Sequence, residues 1–173
     1  MGVADGFRIE PLHAEHERGN FSCGRESLDK YFSKRLEDDV RARLACAFVL
    51  VGSSPSQPMG FYTLSNASMD LFLLPEKDKE GIRRYDYVPA TLLGRFAVDT
   101  RFQKQDLGAF LLTDALKRSW LAARNVASWC VVVHTREQGA RDFYVHYNFV
   151  ALPEDRSRLY LPMSALDELF SPE

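Results

Sequence analysis

Apolar and polar positions divide this chain into short strands alternating with amphipathic helices. Phe7-Arg-Ile-Glu-Pro11 predicts a first short strand. Between Arg25 and Val40, the apolar residues Leu28, Tyr31, Phe32, Leu36 and Val40 recur at three- and four-residue spacing among charged neighbours, which predicts a helix. Cys46 to Val51 is a continuous apolar run, the pattern of a buried strand. Ser53 to Pro58 reads as a hairpin turn, and Gly60 to Ser65 as the return strand. The stretch 75–89 is polar and bracketed by prolines, so it predicts a long loop with one helical turn. Leu92 to Val98 is another buried run with one internal charge, Arg95. Polar residues 100–107 break it, and Leu111, Leu112, Ala115, Leu116 and Trp120 then draw the apolar stripe of a helix ending near Ala123. Trp129 to His134 predicts a further strand, and Gln138 to Tyr147 a helix with Ala140, Phe143, Tyr144 and Tyr147 on one face. A hairpin over 149–152 and 158–163 follows, and Ser164 caps a short final helix. This order predicts a mixed α/β sheet with helices packed on it.

Composition narrows the class. With 173 residues, 46% apolar and 27% charged, the chain has the makings of one globular domain over 1–173 rather than a disordered segment. A net charge of −2 supplies no overall field toward nucleic acid or anionic lipid. Three cysteines without metal-type spacing read as reduced thiols, and no metal is expected. No apolar run is long enough to span a bilayer. Asp5, Glu10, Glu15 and Glu17 argue against a signal peptide, so a cytoplasmic protein is expected.

Candidate chemistry gathers on the strand–turn–helix unit from Leu92 to Ala123. Its turn ends where the first backbone N–H groups of a helix lack internal partners, a ready site for phosphate. Gln103-Lys-Gln-Asp-Leu-Gly108 in this turn resembles the pyrophosphate loop of the GNAT N-acetyltransferases, of form Gln/Arg-x-x-Gly-x-Gly/Ala. Ala140-Arg-Asp-Phe-Tyr-Val-His-Tyr-Asn-Phe149 resembles that family's later helix with its Phe-Tyr pair. Phe21-Ser-Cys-Gly-Arg-Glu-Ser-Leu-Asp-Lys-Tyr31 is similar to the amino-terminal segment of one GNAT branch, the toxins of toxin–antitoxin pairs that acetylate aminoacyl-tRNA. The resemblance implies a GNAT fold: a central twisted mixed sheet, helices on both faces, and two splayed central strands. It implies N-acetyl transfer from acetyl-CoA to a primary amine, here the α-amine of an aminoacyl-tRNA. Its cofactor-binding positions would be the backbone of Phe96, Ala97 and Val98, the loop residues Gln103, Lys104, Gln105, Asp106, Leu107, Gly108 and Ala109, and Thr135.

Tyr144 occupies the family's position for protonating the departing thiolate. No residue announces itself as a general base. His134, Asp99 and Glu137 are at element ends, and an aminoacyl α-amine titrates low enough to need none. Asp106 departs from the pattern, standing where the family has glycine. Aspartate tolerates left-handed backbone, but its carboxylate would repel the pyrophosphate. For RNA, Arg41 and Arg43 close the first helix, and Arg83 and Arg84 lie beside Tyr85 and Tyr87, a pattern suited to phosphate contact and base stacking. Implied partners are an aminoacyl-tRNA, a ribbon-helix-helix antitoxin and a second copy in a homodimer. Acetylation of a small-molecule or protein amine, or a non-catalytic CoA-binding module, are the alternatives.

Overall fold

Residues 6–171 are described in the computed structural model of the protein. Seven strands follow the hydrogen-bonded order β1-β2-β3-β4-β5-β7-β6. They are β1 Arg8–Pro11, β2 Cys46–Val51, β3 Pro58–Asp70, β4 Tyr87–Val98, β5 Cys130–His134, β6 Val150–Ala151 and β7 Arg158–Pro162. The helices are α1 Glu26–Lys30 and α2 Leu36–Arg41, joined by a π-helical turn Tyr31–Arg35, then α3 Leu107–Ala122, α4 Gln138–His146 and α5 Met163–Phe170. The chain forms two compact units, each from two separated segments: Met1–Ser65 with Gly94–Ala115, and Asn66–Leu93 with Leu116–Glu173.

In the first unit, alternate side chains of the strands serve opposite faces. Val49, Val51, Phe61 and Ala97 pack with Phe21, Phe32 and Leu36 of the amino-terminal segment and first helical region. The Phe32 and Phe61 rings stack with centroids 4.2 Å apart. On the other face, Leu111 of α3 and Leu50 both close over Gly60, and the Tyr62 hydroxyl donates to Asp114 at 2.5 Å. The expected single helix over 25–40 is interrupted by the π turn. Leu28, Phe32, Leu36 and Val40 are four residues apart, which overruns a 3.6-residue turn, and the wider π turn takes up the excess.

Glu10 anchors the chain after β1. Its Oε1 receives the Nε2–H groups of His13 (2.9 Å) and His16 (2.7 Å). The tautomers follow from the backbone: His13 N–H donates to His16 Nδ1, and Glu15 N–H to His13 Nδ1. Although these donor atoms lie within 4.8 Å of one another, both Nε2 atoms carry protons aimed at the carboxylate, which makes a hydrogen-bonded latch rather than a ligand set. Burial pulls the His16 pKa below its ordinary 6.5, against the pull of Glu10. Burial raises that of Glu10, but hydrogen bonds from His16, Arg8 and His13 outweigh it and bring the carboxyl down to about 2. A histidine with a depressed pKa favours the fold fully above its unfolded value near 6.5, and that contribution is lost as pH falls from there toward the folded value. The Glu10 contribution is present above about 4.5 and lost toward about 2. Stability by urea unfolding is therefore expected to fall on moving from about pH 7.5 to 5.5, and His16→Gln should flatten that step. Equal wild-type stabilities at the two values would contradict it.

In the second unit, Ala90↔Cys130 through Leu93↔Val133 pair β4 with β5 in parallel, and β7 pairs antiparallel with β5. Met69, Leu71, Val88, Val132, Leu152 and Tyr160 belong to its core. Three expectations need correction. β3 runs on to Asp70 rather than ending at Ser65, and β4 begins at Tyr87, inside the expected loop. Tyr87 and Pro89 are exposed while Val88 and Ala90 are buried, the alternation of a strand with one wet face. Ser164 is not the cap of α5: Pro162 holds that position, without a side-chain cap. The expected helical turn in the loop exists as Glu76–Asp78, tied to β7 by the hydrogen bond from the Tyr160 hydroxyl to Asp78.

Candidate active site

The strand end Gly94–Val98 belongs to the first unit. Burial along β4 falls on Val88 and Ala90, then on Leu93 and Ala97. The Arg95 N–H donates to the Thr63 side-chain hydroxyl at 2.9 Å. Beyond it, Asp99 N–H donates to the Met59 carbonyl at 2.8 Å. Gly60 lies close under this stretch. A Cβ there would stand 3.0 Å from the Ala97 carbonyl oxygen, so the close backbone approach requires glycine.

Asp99 organises the turn that follows. Its carboxylate, wholly buried, accepts from the Ser22 and Arg101 N–H groups at 3.1 and 2.9 Å. The Arg101 guanidinium clamps both of its oxygens at 2.9 Å. Burial raises its pKa, but the hydrogen bonds from Arg101 and Ser22 hold it below the usual carboxylate range. Asp99 is therefore an anchor for the turn, and its ionised, fully engaged carboxylate is a poor base. The Gln103 amide, expected at the cofactor, instead ties the turn inward, donating to the carbonyls of Val98 (2.9 Å) and Cys23 (3.3 Å). One acceptor position of Val98 is thereby taken from any ligand.

Lys104 and Asp106 both adopt positive φ, 69° and 59°. Left-handed residues in a turn create concavities of backbone N–H groups that suit anions, and α3 begins at Leu107 directly after them. Leu107 is buried, Gly108 and Ala109 are half-buried, and the side chains of Lys104, Gln105 and Asp106 are exposed. Phe110 N–H donates to the Asp106 carbonyl, so Asp106 opens the helix in the conformation that glycine adopts most freely. Asp106→Gly is expected to tighten acetyl-CoA binding by a few-fold, the scale of an exposed charge–charge term, and more at low salt. Calorimetry is the check; equal affinities at low and high salt would mean that the carboxylate faces away from the pyrophosphate.

Tyr144 lies in the second unit, on α4, at 6% exposure. The end of its helix fixes it. Phe149 N–H donates to the Tyr144 carbonyl and Asn148 N–H to that of Val145, with Asn148 at φ 71°. This pair of bonds around a left-handed residue is the Schellman motif, and its usual apolar contact is present in the Tyr144 and Phe149 rings, 5.3 Å apart. The Phe143 ring sits edge-on to Tyr144 at 5.4 Å. One turn earlier, the Arg141 Nε is a buried donor without an acceptor, a group that fits a phosphate or carbonyl oxygen of a ligand. His134 ends β5 exposed. The half-buried Thr135 donates its N–H to the Ser157 carbonyl and accepts the Glu137 N–H at its hydroxyl, which shapes the turn into α4.

The four arginines expected at RNA differ. Arg41 is paired with Glu37 at 3.0 Å and Asp38 at 3.6 Å, and Arg83 with Glu76 at 3.0 Å. Arg43 is exposed, at φ 60°, and Arg84 lies over the Tyr85 ring at 4.7 Å. Tyr85 on the same loop is exposed, as are Phe72 in the helical turn Leu71–Leu73 and Tyr87 at the start of β4. Sequence reasoning missed the structural role of Asp99 and the unpaired Arg141 Nε. The former had a signal in the spacing Asp99-Thr-Arg101; the latter had none.

No family model matches the chain. It is 36% identical over 145 residues to a tRNA-acetylating toxin of Mycobacterium tuberculosis, covering 83% of this chain and 84% of that protein. The solved structure of AtaT complexed with acetyl-methionyl-tRNAfMet superposes with TM-score 0.88 at 29% identity, covering 95% of this chain and 99% of that one. A Tyr-to-Phe mutant of the toxin AtaT, bound to the C-terminus of the antitoxin AtaR and acetyl-CoA, gives 0.84 at 27% identity over 97% of this chain and 100% of that one.

Proposed function

Because this chain belongs to the family of tRNA-acetylating toxins, which have the GNAT fold, we propose that it transfers acetyl from acetyl-CoA to the α-amine of an aminoacyl-tRNA, as the toxin of a toxin–antitoxin pair. The observation that carries this reading is the match along nearly the whole chain to AtaT with its acetylated tRNA. Acetyl-CoA supplies an activated acyl group as a thioester. The left-handed turn at Lys104 and Asp106 and the first turn of α3 receive its phosphates through backbone N–H groups. The carboxyl end of β4, Phe96 to Val98, offers main-chain groups to its amide-bearing arm, and an amide of that strand faces the thioester oxygen as negative charge develops there. Tyr144 gives its proton to the leaving sulfur. A phenol near 10 and a thiol near about 8.5 are close enough for transfer when charge collapses in the same step. The attacking α-amine, near about 7.7–8.0, is largely neutral at physiological pH and needs only water to take its proton.

An α-amine acylated in this way is an amide and no longer attacks an ester, so the modified tRNA cannot accept a growing chain. Charged tRNA and acetyl-CoA meet in the cytoplasm, where we place the protein; among the described residues no helix is long and apolar enough to cross a membrane. Cell-free translation tests the reading. Synthesis should stop when protein and acetyl-CoA are both present, and continue with the protein and CoA. Unimpeded synthesis with acetyl-CoA would overturn it.

A further inference from the structure

Arg95 is the one charged residue of β4. Its neighbours Gly94 and Phe96 are half-buried, but its own side chain is exposed. The guanidinium lies over the Tyr31 ring, 4.5 Å from the centroid. One Nη also donates to the Gly94 carbonyl at 3.4 Å, and among the described residues it forms no ion pair with a carboxylate. Tyr31 is itself fixed: it is buried in the π-helical turn, and its hydroxyl donates to Asp39 at 2.8 Å. Burial and that hydrogen bond push the tyrosine up to about 12, so it remains a neutral platform.

Arg95 and Ala97 are two residues apart on one strand and therefore share a face. Ala97 packs with Phe21, Phe32 and Phe61, so Arg95 faces the first helical region. With a rise of about 3.3 Å per residue, it lies within about 10 Å of Phe96–Val98. The result is a planar cation, oriented by an aromatic face and free of an internal anion, beside the strand segment assigned to acetyl transfer. Such a fork matches the two oxygens of a phosphodiester.

We infer that Arg95, held on Tyr31, binds the phosphate 5′ to the terminal adenosine of the acceptor RNA and thereby selects an aminoacyl-tRNA end over a free amine. This rests on the function proposed above. The π turn then has a purpose beyond packing, since it carries Tyr31 under the guanidinium, and π turns are frequent at functional sites.

The test uses two minimal acceptors cut from total charged tRNA by nucleases of opposite cleavage polarity: 2′(3′)-O-aminoacyl-adenosine with a 5′-hydroxyl, and the same ribose ester carrying a free 5′-phosphate. Wild-type protein should show a KM about 10–100-fold lower for the phosphorylated acceptor, the worth of a charged hydrogen-bonded pair. In Arg95→Gln that ratio should fall to near one, with Arg95→Lys between. Calorimetry should give the same acetyl-CoA affinity for all three. A preserved ratio in Arg95→Gln, or no ratio in the wild type, would overturn the inference. So would weakened acetyl-CoA binding with the ratio intact, because the phosphate would then be the cofactor's. If Arg95→Gln fails to fold by circular dichroism, the Arg95→Lys ratio decides. Wild-type protein that acetylates neither these acceptors nor intact charged tRNA would instead refute the proposed function itself.

Discussion

Tyr144→Phe is expected to lower kcat by about 10²–10⁴-fold, the usual contribution of a positioned proton donor, while leaving acetyl-CoA affinity nearly unchanged. The split follows from where the hydroxyl acts. Protonation of sulfur occurs only as the carbon–sulfur bond breaks, so its loss is a loss of transition-state stabilisation alone. The substitution is also structurally mild. Phenylalanine keeps the ring contacts with Phe143 and Phe149, and the backbone bonds that close α4 involve the Tyr144 carbonyl rather than its side chain. Single-turnover transfer and calorimetry, with a thermal melt as control, separate the effects. Turnover at the wild-type rate would make Tyr144 a packing residue.

The KM for charged tRNA is expected to rise on the order of 20–50-fold between about 50 and 200 mM salt, as neutralisation of three or four phosphates dictates. With a net charge of −2, the attraction has to come from local clusters. Arg43 and Arg84 should contribute more than Arg41 and Arg83, which already pair with Glu37 and Glu76. Substituting either of the first two by glutamine should lower the slope of log KM against log salt by about one. Acetyl-CoA hydrolysis without acceptor should keep its own salt dependence. A flat KM would point to a small amine as acceptor.

The strand–turn–helix unit around Leu92–Ala123 was legible because its apolar spacing changes period abruptly at a polar turn; the amphipathic stripe alone marks Phe143 and Tyr144 as packing residues, and only the resemblance to the family's later helix singled the pair out. What escaped the sequence depended on partners far along the chain. Asp99 reads as a solvated carboxylate at a strand end, yet it is buried, and one of its donors is the N–H of Ser22, 77 residues away. Pro89 reads as the edge of a loop, but it is an exposed strand residue whose carbonyl accepts from Trp129 N–H at 2.8 Å, a pairing that needs no N–H from proline. Gln103 matched the loop pattern by type, yet its amide turns inward to Val98 and Cys23. The backbone reading of Asp106 held, since aspartate adopts the left-handed conformation there, but pattern alone cannot say where its carboxylate points.

The most direct test is transfer of radiolabelled acetyl to total charged tRNA, with deacylated tRNA as control. The account predicts label on the charged pool, released when the aminoacyl ester is hydrolysed, and none on the deacylated control. Label confined to small amines or protein lysines, or label on deacylated tRNA, would contradict it.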